Sequence, residues 1–275
     1  MRVKIYSCHH AQPEFIFSTP LFQTMVSGVA MPSDSRVETD LIGDNINADN
    51  DFSELRHQYF VWKNKATQFD IVGFEHYRRP FLIDLFESHE LDNRHKFLFG
   101  LRRRYNSSPV WALVIDDNDM LEYMKLRSNL SEEQDERIQR WLGSYDIVVN
   151  TGVSERIDEQ WQNTGHDAAL WNVIVDLTRA SPYFEKRQCV IDFSLSRVFY
   201  RNMYIMRSDL YSEYMEFCFG ILFKMRDELK IRSHRLYGYV SERLFNFWIY
   251  QKKIDTPALR VLELPVLLAK SSLPK

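Results

Sequence analysis

A chain of 275 residues with 45% hydrophobic and 14% aromatic content can bury a large core, as one big domain or two small ones. A net charge of -3 with 27% charged residues lacks the basic balance of a nucleic-acid binder, and no nucleic-acid partner is expected. Three widely spaced cysteines (Cys8, Cys189, Cys218), no signal-peptide core and no apolar run near the ~18 residues of a membrane span point to a cytoplasmic setting.

Val3-Lys-Ile-Tyr-Ser7 predicts a first strand, apolar at alternate positions, that runs into Cys8-His9-His10. Adjacent side chains on an extended chain point to opposite faces, so this triplet is a poor metal cage. The end of a first strand in an α/β fold favours a ligand contact instead, here by His9. The polar run Gly43-Asp-Asn-Ile-Asn-Ala-Asp-Asn50 reads as a surface loop. Its functional alternative has Asp44 and Asn45 holding the hydroxyls or base edge of a small ligand. Ser53 to about Ala66 predicts a helix, with Leu55, Tyr59 and Trp62 at helical spacing as a core face.

The stretch Asp70-Ile-Val-Gly-Phe-Glu-His-Tyr-Arg-Arg-Pro80 is the chemical centre of the sequence. A short apolar run suited to a buried strand breaks at once into an acid, a base and two guanidinium groups. Such groups are costly at the mouth of a strand unless they face a ligand or each other. From Leu82 to Asn106 the chain turns basic (Arg94, His95, Lys96, Arg102-Arg-Arg104), with Phe86, Phe97, Phe99 and Tyr105 interleaved. That is either a solvated charge run or a contact for a lipid-linked headgroup or an acidic membrane surface.

Trp111 to Ile115 predicts a strand, and Asp116-Asp-Asn-Asp119 after it either holds a hard divalent cation or caps a helix over Met120 to Leu126. Ser131-Glu-Glu-Gln134 is a capping box for a helix to about Leu142, and Tyr145 to Val149 is a further strand. Beyond it the chain is more helical. Helices are expected over His166–Arg179 and Ser208–Leu229, followed by one carrying Val240, Leu244, Phe247 and Trp248. Strands are expected at Asn202–Met206 and Arg260–Leu264. Asp167 sits at a helix start, as a cap or aimed at a ligand, and Glu242 lies off the apolar face of its helix.

Several pieces together resemble a bacterial family first catalogued as a domain of unknown function, whose members are described as capsular or exopolysaccharide glycosyltransferases. They are Lys4-Ile-Tyr-Ser-Cys-His9, Gly43-Asp-Asn-Ile46, Ser53-Glu-Leu55, Trp62-Lys-Asn64, Gly73-Phe-Glu-His-Tyr-Arg-Arg79, Tyr145-Asp-Ile-Val148, Asn202-Met-Tyr-Ile-Met206 and Ser241-Glu-Arg-Leu244. The chain departs from the family pattern at His10, Gln12 and Val149-Asn150-Thr151, and Arg94–Asn129 has no clear counterpart.

The resemblance implies a GT-A-like, Rossmann-related α/β fold, a mixed sheet flanked by helices with a more helical C-terminal half. Residues 1–150 would form the nucleotide-sugar part and 151–275 the acceptor side of a single glycosyltransferase domain. The implied reaction moves a hexosyl group, with galactose in pyranose or furanose form as the expected sugar, from a UDP-sugar to a lipid-linked glycan. The setting would be capsule, exopolysaccharide or lipopolysaccharide O-antigen synthesis at the inner membrane face.

In this reading Arg78 and Arg79 stabilise the leaving diphosphate, and Glu242 or, second, Asp167 is the base. His9, Asp44, Asn45, Lys63, His76, Asn202 and Arg243 bind substrate. Where GT-A enzymes usually place an Asp-x-Asp motif, this chain has Glu75-His-Tyr77. Two routes stay open: Glu75 and His76 hold Mn²⁺ or Mg²⁺, or the two arginines neutralise the diphosphate directly. Two rivals belong to other classes, a non-catalytic nucleotide- or glycan-binding module and a metal-dependent hydrolase using His9, His10 and His76.

Overall fold

The computed structural model describes residues 1–11, 13, 15–28, 32, 34–83, 112–187 and 192–270. The basic run from Arg94 to Tyr105 and Cys189 lie outside the described residues. The strands in chain order are β1 (Val3–His9), β2 (Phe22–Val26), β3 (Glu38–Thr39), β4 (Ile71–His76), β5 (Ala112–Ile115), β6 (Ile147–Asn150), β7 (Tyr204–Arg207), β8 (Val261–Leu264) and β9 (Val266–Ala269). Helices α1 (Leu55–Asn64), α2 (Asp117–Ser128), α3 (Glu132–Leu142), α4 (Ile157–Asn163), α5 (Ala168–Arg179), α6 (Pro182–Glu185), α7 (Ser208–Phe223) and α8 (Leu236–Asp255) are interspersed among them. A π turn over Lys224–Glu228 continues α7.

Seven strands form one mixed sheet in the order β3-β2-β1-β4-β7-β6-β8. β3, β2, β1 and β4 run parallel, and so do β6 and β8. β7 is antiparallel to both of its neighbours, β4 and β6. β5 and β9 pair in parallel as a separate two-stranded sheet. Strands from both halves of the chain thus build the same sheet, which has the GT-A-like mixed α/β architecture.

Burial on both faces explains why these strands read as apolar runs. Tyr6, Cys8, Val72, Phe74, Ile147, Val149, Tyr204 and Met206 enter one core cluster, under α1, α4, α5, α7 and α8. Val3, Ile5, Ile71, Val148 and Ile205 enter the other, with α2, α3 and the small sheet. Gly73 lets β4 and β7 close up, because a Cβ there would stand 2.7 Å from Ile205 Cγ1.

The helices begin where short polar side chains can accept a free amide. Asp116 accepts from Asp119 N at 2.9 Å, so it caps α2, and the helix starts earlier than the apolar pattern suggests. Ser131 and Gln134 close a capping box on α3, and Asp167 accepts from Ala169 N at 2.8 Å to cap α5. Among the described residues, no helix is long and apolar enough to cross a membrane.

Candidate active site

The carboxyl ends of β1 and β4 lie side by side, with Cys8 opposite His76. The chain leaves β4 through Tyr77, whose ring stacks between His9 (4.8 Å) and His76 (4.5 Å), with His10 tilted against it at 5.4 Å. The Arg78 guanidinium lies 5.1 Å from the same ring, and its backbone N–H donates to His76 Nδ1 at 3.2 Å. That bond leaves Nε2 as the protonated nitrogen of a neutral His76. Burial, reinforced by Arg79 and Arg78, holds His76 well below its ordinary range.

His57, reaching back from α1, places Nε2 2.9 Å from the His9 carbonyl and Nδ1 3.2 Å from the Glu54 carbonyl. Burial pushes His57 down to about 4. Burial, with His57 and His10 beside it, pushes His9 down to about 3.

Cations crowd this end of the sheet. Arg79 Nε is buried and has no hydrogen-bond partner among the described residues. Burial and the neighbouring Arg78 depress Arg79, against the pull of Glu242 and Glu54. Arg201 is lowered to about 10 by burial and by Arg79. His10 is lowered by burial and then by Arg78, Arg235 and Arg56. A half-buried group of like charges is unfavourable by itself and becomes favourable around an anion.

The opposite wall comes from α8 and the turn before β7. Glu242 Oε1 accepts from Arg201 N at 2.6 Å, and Oε2 accepts from Arg243 Nη1 at 2.9 Å. Arg243 also donates to Tyr239 O at 3.0 Å and to Gln160 Oε1, and lies over the Trp161 and Tyr200 rings. Asn202 Nδ2 donates to Glu54 Oε1 (2.8 Å) and Gly238 O (3.0 Å), while its Oδ1 accepts from Ser241 Oγ (2.8 Å). Ser53, Arg201, Asn202 and Arg235 adopt φ of 50°, 82°, 50° and 60°. Left-handed backbone at non-glycine residues stores strain, on the order of 1–3 kcal/mol each, and tends to gather at functional sites.

The sequence-based site residues therefore separate into groups. His9, His76, Arg78, Arg79, Asn202, Glu242 and Arg243 converge on this cleft. Asp44 and Asn45 lie on a loop that holds itself together: Tyr59 Oη donates to Asp44 Oδ1 at 3.1 Å, and Asn45 Nδ2 to Gly43 O at 2.8 Å. Lys63 is exposed, with Nζ 3.5 Å from the centre of the Trp62 ring. Asp167 is an exposed helix cap. Its neighbour His166 stacks on Trp161.

Glu75 and His76 alternate along β4, so their side chains leave on opposite faces. Glu75 is 1% exposed; its Oε1 pairs with Arg127 Nη1 at 2.8 Å, and its Oε2 accepts from Phe81 N at 3.1 Å. This pair does not fit a shared divalent cation. Among the described residues no group of three His, Cys, Asp or Glu converges on a metal position.

Sequence reading missed Glu54, His57, Arg201 and Arg235 here, and Asp40 and Arg56 at the end of β2. Asp40 accepts from Ser27 Oγ at 2.6 Å, and Arg56 Nη1 donates to Asn47 O and Asn50 Oδ1, both at 2.9 Å. Glu54 carried a signal, because it is the middle residue of Ser53-Glu-Leu55; Arg201 and Asp40 carried none. A larger groove of about 550 Å³, lined by Tyr183, Lys186, Phe217 and Lys224 among others, shares no residue with this cluster.

The chain belongs to the family described as "Domain of unknown function (DUF4422)", whose model matches residues 4–253. Its fold is similar to part of the bifunctional glycosyltransferase WbbM in the apo structure, at a TM-score of 0.75 and 26% identity. That match covers 98% of this chain but 46% of WbbM, so the chain spans about half the length of that protein. A comparison with curated proteins finds no match.

Proposed function

We propose that the chain is a glycosyltransferase moving a hexosyl group, galactose in pyranose or furanose form, from a UDP-sugar to a hydroxyl of a lipid-linked glycan. Its setting would be capsular polysaccharide, exopolysaccharide or O-antigen synthesis, in the cytoplasm against the inner membrane face. The observation that carries this reading is the cluster of half-buried Arg79 and Arg201 with exposed Arg78, Arg79 Nε having no hydrogen-bond partner among the described residues. The likeness to a glycosyltransferase gives that cluster its natural anion, a nucleoside diphosphate.

Each residue has a task in this reading. Arg78 and Arg79 bind the diphosphate and stabilise its charge as the glycosidic bond breaks. His9 and His76, neutral at physiological pH, hydrogen-bond the donor. Asn202 and Arg243 shape the sugar side through the turn and α8, and Asp44, Asn45 and Lys63 contact the outer part of the donor. Because Glu75 is committed to Arg127, direct neutralisation by the arginines is preferred here over a cation held by Glu75 and His76.

A thermal-shift and calorimetry panel of UDP, UDP-glucose, UDP-galactose, UDP-galactofuranose and UDP-N-acetylglucosamine tests this, with Mn²⁺ and with EDTA. UDP or a UDP-sugar should raise the Tm. Arg79→Ala should weaken binding by roughly 10- to 100-fold, the value of a lost charge-assisted contact. Binding that survives EDTA supports the arginine route; a strict Mn²⁺ requirement overturns it. Binding of a UDP-sugar without any turnover would favour a non-catalytic module.

A further inference from the structure

Two glutamates meet behind the guanidinium cluster, and their carboxylates are not equivalent. Glu242 has both oxygens engaged, one by the backbone N–H of Arg201 at 2.6 Å and the other by Arg243 at 2.9 Å. Those bonds hold the strained turn at Arg201 and Asn202, where φ is 82° and 50°. Glu54, just before α1, is held by one oxygen only. Its Oε1 accepts from Asn202 Nδ2 at 2.8 Å, and Oε2 accepts no hydrogen bond from any described residue.

Asn202 is itself fixed by Gly238 O and Ser241 Oγ, so Glu54 is aimed by a rigid bracket rather than by its own rotamer freedom. Glu54 also lines, with Gln58, His76, Arg201, Asn202 and Met203, a cavity of about 10 Å³, the size of one water or hydroxyl. Arg79 and Glu242 are both close enough to interact electrostatically with it.

We infer that Glu54 is the group that takes the acceptor's proton, and that Glu242 is a positioning residue that sets the Arg201–Asn202 turn. This assignment rests on the glycosyltransferase reading above. In the step, the acceptor oxygen bonds to the anomeric carbon while its proton passes to Glu54 Oε2. The bond from that carbon to the diphosphate oxygen breaks, and its electron pair leaves on the diphosphate, against Arg79. A single displacement of this kind inverts the anomeric configuration. Proton transfer by a placed carboxylate is worth roughly 10²–10⁴ in rate.

The test uses the full chain and whichever UDP-sugar of the panel stabilises it most. UDP release is measured with water as acceptor, with and without sodium azide. Glu54→Gln and Glu54→Ala should keep the Kd for UDP within about threefold and lose roughly 10²–10⁴ in UDP release. Azide attacks carbon without losing a proton, so it should restore release in Glu54→Ala and yield an inverted glycosyl azide. Glu242→Gln should lower the Tm and weaken UDP binding, with no response to azide.

Undiminished release by Glu54→Gln, azide rescue of Glu242→Ala but not of Glu54→Ala, or a retained anomer would each overturn the assignment while leaving the transferase reading standing. A wild-type chain that binds no UDP, or releases none from any UDP-sugar, overturns the transferase reading and this assignment with it.

Discussion

Glu75 illustrates how one residue in a chemically loaded motif can serve the core instead of the cleft. Its carboxylate and the Arg127 guanidinium are 2.8 Å apart with both side chains wholly buried, and the guanidinium also lies 3.8 Å over the Phe22 ring. Burial raises the Glu75 carboxyl while Arg127 and the Phe81 N–H pull it down. Removing one member strands the other, at a cost of about 3–5 kcal/mol, whereas removing both can be near neutral. Arg127→Met should therefore lower the unfolding free energy in urea by about that amount, and Arg127→Met with Glu75→Met should recover most of it. A single-mutant loss within ~1 kcal/mol of zero would show that the pair contributes little. Asn202 offers a second case. Asn202→Ala strips the bracket from Glu54, Ser241 and Gly238 O and puts alanine at φ 50°, so a loss of ~2–4 kcal/mol is expected in the same assay.

Elements owe their boundaries to local chemistry and their pairing to close approach. The aspartates after β5 start α2, since Asp116 takes the Asp119 amide. Asp116→Ala should cost about 1 kcal/mol of stability, as for a lost cap. Mn²⁺ and Mg²⁺ should shift the Tm of wild type and variant equally; a cation response abolished by Asp116→Ala would restore the metal reading of that cluster. In β4, Gly73→Ala would drive a Cβ to 2.7 Å from Ile205 Cγ1 and 3.1 Å from Ile5 Cγ1. Overpacking of this kind costs ~1–3 kcal/mol and should show as a lower Tm, with the cleft residues beyond it slackened.

The whole molecule carries its histidines in an unusual state for a cleft of this charge. His9 and His57 are pushed down to about 3 and about 4 by burial, and His76 is also held well below the ordinary value of ~6.5. Between the folded and unfolded values the unfolded chain binds more protons, so stability is fully present above pH ~6.5 and is lost as pH falls toward 4. Asp135 acts in the opposite sense. Burial raises it to about 6 against the nearby Lys4, so in the window from ~3.8 to 6 it is the folded chain that binds the extra proton. Glu75 and Glu242, also raised by burial, act with Asp135, while His10 and His166, lowered by burial, and Asp146, lowered against its burial by hydrogen bonds from Arg260 and Arg207, act with the histidines. Urea unfolding at pH 7.5, 6.5, 5.5 and 4.5 should show stability falling with one to three protons, roughly 1.4–4 kcal/mol per pH unit. A flat profile would mean that these imidazoles ionise freely in the fold.

Pieces that depend on near neighbours are legible in the sequence. The bulk and spacing of Ile71 to Phe74 make a buried strand, Ser131 and Gln134 make a cap, and the polar break at Glu75 to Arg79 marks the cleft. Read with the resemblance, those pieces led to the mixed GT-A-like sheet. The strands β2, β3 and β9 were not anticipated, because short segments are defined by the neighbours they pair with rather than by their own pattern. Which polar group faces which depends on long-range packing. Glu75 finds Arg127 across the core, and Asn202 reaches Glu54 across 148 positions of chain. Whether a carboxylate is spent on a partner or left open to a substrate is set by such long-range contacts, and one-dimensional spacing does not contain them. That is why the same sequence shows which polar groups gather at this end of the sheet yet points to Glu242 for a task that we propose for Glu54.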